Sequence, residues 1–285
     1  MVRSLAWHGL GFNARAALRF GATGMNALVP QLAKVGEAEI AYIDLPAEDG
    51  PGGGDPILLI HGFASTHGVN WVNPNWATTL TRAGYRVVAF DNRGHGRSQK
   101  FYEPSDYDTS TMAEDARALL DHLGIWQADV MGYSMGSRIT AFLTLEHPER
   151  VRSCLLGGLG IHLVEGVGLP PGIADAMEVP SLDDLTEPTQ RMFRAFAETN
   201  RQDLKALAAC IRGTRQTLSR DDVGAIRVPT LVSVGTNDPI AGSAAELAAL
   251  IPGAKVLDIP GRDHNLAVGD RTHKAGVLAF LAERP

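Results

Sequence analysis

Short, continuously apolar runs recur along the chain and alternate with segments of helical pattern, and this alternation constrains the fold more than any other feature. Parallel strands covered on both faces give such runs, whereas the alternating pattern of residues 39–45 is typical of a half-exposed strand. The remaining predicted strands are 56–60, 85–90, 128–133, 151–157, 229–235 and 254–259. Predicted helices include 135–147, 243–251 and 270–281. The sequence therefore predicts an α/β fold with a doubly wound, mostly parallel sheet.

One region interrupts this alternation. Between residue 160 and about residue 227 there is no strand pattern, whereas 190–199 and 202–212 have helical patterns. An insertion that leaves the sheet at a strand end should lie over the carboxyl edge, where ligands bind in such folds. We therefore predict a core of residues 38–159 and 228–285 and a helical cap of residues 160–227.

Residues 1–37 precede the predicted core and form a basic, apolar N-terminal extension. Residues 1–35 contain Arg3, Arg15, Arg19 and Lys34 and no acidic residue. Arginines interrupt the apolar run, so a secretory signal fits poorly. Three interpretations remain open: a helix packed on its own domain, an amphipathic contact with a membrane surface through residues 1–35, or a transit-like peptide or oligomer contact. We expect a cytoplasmic protein, peripheral to a membrane if the second interpretation holds.

Composition narrows the function classes. The chain of 285 residues is 45% hydrophobic and carries a formal net charge of −6. Such a chain can bury a sizeable core and offers no broad cationic field for nucleic acid. No uninterrupted apolar run approaches the roughly 18 residues that span a bilayer. The two cysteines cannot form a disulfide framework, and no cluster has metal-ligand spacing, so we expect neither a metal nor an organic cofactor.

The strongest functional signal is the segment Gly132–Gly136, whose sequence is GYSMG. It matches Gly-x-Ser-x-Gly and lies directly between a predicted buried strand and a predicted helix. A sharp turn at this place holds a serine in strained backbone geometry, and the small flanking residues let neighbouring chain pass close by. We therefore predict that Ser134 is a nucleophile.

A serine hydroxyl needs a base, and the base needs an orienting acid. His264 follows the last predicted strand in a short polar loop, and Asp238 follows the strand before it. Both loops come back to the carboxyl edge of a doubly wound sheet. We predict His264 as base and Asp238 as acid, with Asp258 and Asp263 as alternatives for the acid.

An oxyanion site is the next requirement. The sequence His61-Gly62-Phe63 follows the strand 56–60, so its loop can place a backbone N–H beside the serine. We predict the N–H groups of Phe63 and Met135 as donors, and His61 as a residue that shapes the loop. The loop 91–98 (DNRGHGRS) is predicted to be bonded to itself beside the site.

These motifs resemble the α/β-hydrolase superfamily, and in particular its serine esterase and lipase-like members with a short helical cap. The resemblance rests on His61-Gly62-Phe63, on DNRGHGRS, on GYSMG, and on Asp238 and His264, and it covers residues 38–285. It implies the α/β-hydrolase fold. A serine rather than an aspartate at position 134 disfavours dehalogenase-like and epoxide-hydrolase-like chemistry and favours acyl transfer.

We therefore predict a serine esterase that acts on a small-molecule carboxylic ester with a small to medium acyl chain. The alternatives are a lactonase, a thioesterase or a carbon–carbon bond hydrolase with the same triad, a cofactor-free perhydrolase, and a slow-turnover small-molecule receptor. A basic residue in the pocket would favour the carbon–carbon bond hydrolase, and Arg191 and Arg194 are the candidates.

The predicted pocket is less constrained than the triad. Trp71, with Trp76, walls a small apolar pocket or covers the edge of the sheet. The residues assigned to the substrate pocket are Trp71, Tyr133, Met192, Phe193 and Phe196. The sequence does not indicate which oligomeric state the protein adopts.

Overall fold

A computed structural model describes residues 28–166 and 172–284. Its centre is an eight-stranded sheet, and the strands follow the spatial order β1-β2-β4-β3-β5-β6-β7-β8. The strands are β1 Gln31–Val35, β2 Ala38–Leu45, β3 Pro56–Ile60, β4 Arg86–Phe90, β5 Ala128–Tyr133, β6 Val151–Gly157, β7 Thr230–Gly235 and β8 Lys255–Ile259.

The sheet is parallel from β4 onwards, and β2 pairs antiparallel with both β1 and β4. The central strands are buried on both faces, as their continuous apolar runs predict; β5, for example, is buried at every residue. Two apolar clusters, one on each side of the sheet, form the core. The predicted doubly wound, mostly parallel sheet is confirmed.

Strand β1 lies inside the segment 1–37 that the sequence assigned to an extension. Its residues alternate between exposed Leu32 and buried Ala33 and Val35, and it pairs with β2 around a turn at Gly36. Five residues are too few for periodicity to separate a strand from the end of a helix. The sheet therefore begins earlier in the chain than predicted, and residues 1–27 of the extension lie outside the described residues.

Helices cover both faces of the sheet and fill the region between β6 and β7. Those of the core are α1 Trp76–Arg82, α2 Thr109–His122, α3 Met135–Glu146, α9 Ala244–Leu250, α10 His264–Val268 and α11 Arg271–Glu283. Those between β6 and β7 are α4 His162–Glu165, α5 Ile173–Glu178, α6 Pro188–Thr199, α7 Leu204–Gly213 and α8 Arg220–Gly224. In the described ranges, no helix is long and apolar enough to cross a membrane.

The parallel strands end at one edge of the sheet, where the loops that carry the three predicted catalytic residues start. Strand β5 ends at Tyr133 and leads directly to Ser134, β7 leads to Asp238, and β8 leads to His264. Buried α6 residues such as Phe193 contact the oxyanion loop, whose Phe63 ring centroid lies 6.2 Å from that of Phe193. The topology thus brings residues more than a hundred positions apart to one place.

Candidate active site

Ser134 lies at the sharp turn between β5 and α3. Its φ of 55° and ψ of −115° are unusual for a residue other than glycine, and this strain exposes the side chain at the edge of the sheet. The flanking glycines allow the close packing that the turn needs. A Cβ at Gly132 would lie 2.2 Å from the carbonyl oxygen of Gly136, and one at Gly136 would lie 2.0 Å from the carbonyl oxygen of Ile60.

A chain of two hydrogen bonds connects the predicted nucleophile, base and acid. Ser134 Oγ lies 3.0 Å from His264 Nε2, and His264 Nδ1 lies 2.7 Å from Asp238 Oδ2. An ionised carboxylate only accepts hydrogen bonds, so Nδ1 carries the proton and Nε2 accepts from the serine hydroxyl. This arrangement is the one a serine nucleophile requires.

Asp238 rather than either alternative contacts the histidine. Its carboxylate is fully buried, and Oδ1 accepts hydrogen bonds from the backbone N–H groups of Ile240 at 2.8 Å and Ala241 at 3.1 Å. Asp263 instead caps helix α10, and Asp258 is exposed on the edge strand β8. The buried carboxylate is thus held in place by its own loop and aimed at the imidazole.

Tyr133 also holds His264, the predicted base, in position. Its hydroxyl donates to the carbonyl oxygen of His264 at 2.5 Å, and burial raises the pKa of this phenol well above its ordinary value. The phenol therefore stays a hydrogen-bond donor and ties the start of helix α10 to the end of strand β5.

The residues of both predicted oxyanion donors, Phe63 and Met135, line a cavity together with Ser134. His61 Nδ1 donates to the carbonyl oxygen of Gly62 at 2.8 Å, and His61 Nε2 accepts from the backbone N–H of Asn92 at 3.0 Å. Because a trans peptide points its C=O and N–H in opposite directions, holding the Gly62 carbonyl on the His61 side aims the Phe63 N–H the other way. Met135 begins helix α3, so its N–H has no intrahelical acceptor.

A buried polar cluster supports this loop from beneath. Burial lowers the pKa of His61 to about 4, so the ring stays neutral and keeps one donor and one acceptor. Burial alone would raise the pKa of Asp91, but the hydrogen bond from His67 and the backbone N–H of Arg97 hold it well below its usual range. The predicted self-bonded loop 91–98 is present, and Ser98 Oγ closes it on the Asp91 carbonyl.

Ser134 lies in the wall of an apolar cavity of about 560 Å³. Four of the five predicted pocket residues line it, namely Tyr133, Met192, Phe193 and Phe196 among the described wall residues, together with Phe63 and His264. Its rim carries Arg262, paired with Asp270 at 2.6 Å. The cavity thus has an apolar wall with polar groups at the reacting end and at the rim.

Trp71 is the exception and corrects the predicted pocket. Its side chain is fully buried and packs edge-on against Trp76, with ring centroids 6.2 Å apart, in the core cluster behind the site. The segment Gly68–Val72 is a short π-helix, and its geometry turns the indole away from the cavity. Of the two interpretations of this pair, covering the sheet is the one the structure favours.

The segment also contains a site residue that the sequence analysis missed. Asn70 lines the cavity, and its Oδ1 accepts from the Gly62 N–H at 3.2 Å. Its Nδ2 is buried without a hydrogen-bond partner among the described residues. Only the π-helical turn brings Asn70 to Gly62, and a single sequence carries no clear signal for such a turn.

Arg191 and Arg194, the basic candidates of the predicted cap, are not among the described residues that line the cavity. Arg194 is buried and donates to the carbonyl oxygens of Ala176 and Val179, while Arg191 donates to those of Leu182 and Leu185. Each of these two arginine side chains thus connects helix α6 to another segment of the region between β6 and β7. Two other arginines, Arg138 and Arg215, line a second, smaller cavity at the nucleophile.

Comparison with known proteins decides the family. The protein-family model described as the alpha/beta hydrolase fold matches residues 55–167. A Synechocystis sp. protein provisionally named a non-heme chloroperoxidase is 31% identical over 258 residues, which are 81% of this chain and 91% of that protein. The chain belongs to the α/β-hydrolase family. The resemblance inferred from the motifs is therefore confirmed at the level of the superfamily.

Two further comparisons show which proteins this α/β hydrolase is similar to. A non-heme haloperoxidase from Rhodococcus erythropolis is 30% identical over 263 residues, covering 81% of this chain and 93% of that protein. The crystal structure of a hydrolase from Pseudomonas aeruginosa superposes with a TM-score of 0.71 at 26% identity, covering 90% of this chain and 99% of that one. The similarity thus spans nearly the whole length of each of these proteins.

Proposed function

We propose that this chain is a serine hydrolase that cleaves carboxylic esters with a small to medium acyl chain. One observation carries the proposal: the hydrogen-bonded series Ser134, His264 and Asp238 ends at the mouth of an apolar cavity. A buried base that accepts from a strained serine hydroxyl has no evident structural purpose, whereas acyl transfer requires it.

The proposed reaction begins with attack of Ser134 Oγ on the ester carbonyl. His264 Nε2 takes the serine proton, and the Asp238 carboxylate stabilises the imidazolium that forms. The N–H groups of Phe63 and Met135 stabilise the oxyanion of the tetrahedral intermediate. His264 then protonates the leaving alkoxide, and an acyl-enzyme remains. Water, deprotonated by His264, attacks the acyl-enzyme and releases the acid, which restores the starting protonation states.

The cavity supports the proposed size of the substrate. Sites for small molecules span roughly 300–1,000 Å³, and about 560 Å³ falls in the middle of this range. Met192, Phe193 and Phe196 supply an apolar wall from helix α6, which suits an alkyl or aryl group. We assign α6 to a cap of residues 160–227, so changes in this helix should alter chain-length preference more than the chemistry.

A panel of p-nitrophenyl esters from acetate to palmitate tests the proposal. We expect kcat/KM to peak at a short or medium chain and to fall towards palmitate, as the proposed preference for a small to medium acyl chain requires. A Phe196→Ala variant should move the optimum to longer chains, and an exposed-site variant, Arg82→Gln, should leave it unchanged. Absence of turnover with every ester in the panel would contradict the proposal.

A second candidate function has its own support in the haloperoxidase names of two relatives. This second candidate is a cofactor-free perhydrolase. In its reaction hydrogen peroxide replaces water as the acceptor of the acyl group, which gives a peroxy acid. The peroxy acid then oxidises halide outside the site. An assay that contains acetate, hydrogen peroxide and bromide distinguishes the two functions. Bromination of a dye is its readout. Ser134-dependent bromination in this mixture without hydrolysis of any ester would favour the perhydrolase.

A further inference from the structure

Ser134 borders a second cavity as well as the apolar one. This cavity has a volume of about 240 Å³ and shares Phe63 and Ser134 with the first. Helix α3 contributes Met135 and, one turn later, Arg138, while Arg215 comes from the segment after helix α7. An ester held at the nucleophile therefore has two different places for its two arms.

The two arginines of this second cavity have no carboxylate partner among the residues that the structure describes. Arg138 Nη1 donates to the carbonyl oxygen of Gln216 at 2.6 Å, and Arg215 Nε donates to that of Ile211 at 3.2 Å. No ion pair involves either within residues 28–166 and 172–284. The remaining residues contain no aspartate or glutamate, so they supply no carboxylate side chain.

The other half-buried or buried arginines in the described part of the chain are paired with carboxylates. Arg93 contacts Asp115 at 2.6 Å, Arg194 contacts Glu198 at 2.7 Å, and Arg284 contacts Asp129 at 2.7 Å. A desolvated cation without a counterion is costly, and pairing is the usual remedy. Arg138 therefore departs from the rule that the rest of the molecule follows.

The electrostatics of Arg138 agree with this geometry. Burial, and then the positive charge of Arg215, lower the pKa of Arg138 to about 10. The guanidinium is still charged at neutral pH, and two like charges line one small space. A bound anion would relieve both the desolvation and the repulsion, and guanidinium groups match carboxylates in charge and shape.

We propose that the second cavity binds a carboxylate carried on one arm of the substrate, while the apolar arm occupies the first cavity. The inference rests on the proposed function, because it names the class of ester within it: esters that bear a free carboxylate a few bonds from the scissile carbonyl. The small volume limits this arm to a short chain. Arg138 supplies most of the recognition, and the more exposed Arg215 supports it.

The test compares esters that differ only in methylation of the carboxylate. One pair is p-nitrophenyl hydrogen glutarate and its methyl ester; the other is the butyrate ester of 3-hydroxypropanoic acid and its methyl ester. The first pair places the charge on the acyl arm and the second on the alcohol arm. For each pair, the ratio of kcat/KM for the anion to kcat/KM for the methyl ester reports recognition of the charge.

In the wild type we expect this ratio to exceed one in at least one pair. Arg138→Gln should lower the ratio at least about 10-fold, since a charge-assisted hydrogen bond contributes that much. Arg138→Lys should restore part of it, and Arg215→Gln should lower it less. Arg82→Gln, which removes an exposed positive charge that lies outside the lining of both cavities, is the matched control and should keep the wild-type ratio. Equal losses for both esters of a pair in Arg138→Gln would overturn the inference.

A binding measurement separates this inference from the proposed function. Calorimetry measures the affinity of the Ser134→Ala variant for monomethyl glutarate in the absence of turnover. The Ser134→Ala/Arg138→Gln variant is the control. If the wild type hydrolyses the methyl esters but disfavours both anions, the proposed function holds and the carboxylate site is wrong. If no ester is hydrolysed but monomethyl glutarate binds in an Arg138-dependent manner, the carboxylate site holds and the proposed function fails.

Discussion

Three histidines buried in a neutral state should make this protein sensitive to mild acid. Burial lowers the pKa from an ordinary value of 6.5 to about 4 for His61, about 3 for His95 and about 4 for His273. All three are fully buried. Because the folded-state pKa values lie below the ordinary value, the unfolded chain binds more protons as the pH falls. The stability from these residues is complete above pH 6.5 and is lost progressively towards pH 4.

The size of the effect follows from the shifts. At pH 5.5, one unit below the ordinary pKa, each histidine is protonated in the unfolded chain and still neutral in the folded protein. Each then contributes a loss of about 1.4 kcal/mol relative to pH 7.5, and the three together about 4 kcal/mol. Carboxylates titrate lower, near pH 4 in unfolded chains, so they add little in this window.

Urea unfolding at pH 7.5 and pH 5.5 measures this loss directly. His273, whose Nε2 lies 2.9 Å from Ser233 Oγ, is the member farthest along the chain from the oxyanion loop, so His273→Gln is the variant of choice. It should reduce the difference between the two pH values to about 3 kcal/mol. His122 is exposed, and His122→Gln should leave the difference unchanged. A wild-type difference below about 1 kcal/mol would refute the reasoning.

Three further outcomes follow from the site. Gly136→Ala should lower the free energy of unfolding by about 3 kcal/mol, measured by urea titration, because its Cβ would meet the Ile60 carbonyl oxygen. Asp238→Asn should reduce kcat on p-nitrophenyl butyrate about 10⁴-fold with an unchanged unfolding midpoint, since the amide favours the wrong tautomer of the base. Asn70→Ala should reduce kcat/KM about 10-fold by freeing the Gly62 N–H from its acceptor. A loss of folding in Asp238→Asn, or full activity in Asn70→Ala, would argue against these roles.

The sequence predicted most of the sheet, apart from strand β1, and the contacts among Ser134, His264 and Asp238, because both depend on local patterns. Strand β5 is apolar at nearly every position and ends at the Gly-x-Ser-x-Gly segment, so strand, turn and helix are all encoded within a few residues. Asp238 and His264 each lie a few residues after the end of a predicted strand. Once the sheet is parallel, the ends of its strands must share one edge, and the order of motifs then predicts the contacts.

The features that the sequence did not reveal depend on packing between distant segments. The sequence around Trp71 is compatible both with a pocket wall and with a cover over the sheet. Only the π-helix determines in which direction the indole side chain points. Arg138 is an ordinary polar position on a helix until Arg215, 77 positions later, packs beside it. Whether an arginine has a partner is a property of the three-dimensional arrangement, and spacing along the chain does not carry it.

The central claim is that Ser134 is the reacting nucleophile. Treatment of the wild type with a serine-reactive phosphonate, followed by peptide mapping with mass spectrometry, tests it most directly. We predict one adduct per chain, located on Ser134, with ester hydrolysis lost in proportion to labelling, and neither labelling nor turnover in Ser134→Ala. An adduct on another residue, or ester hydrolysis retained by a folded Ser134→Ala variant, would contradict the account.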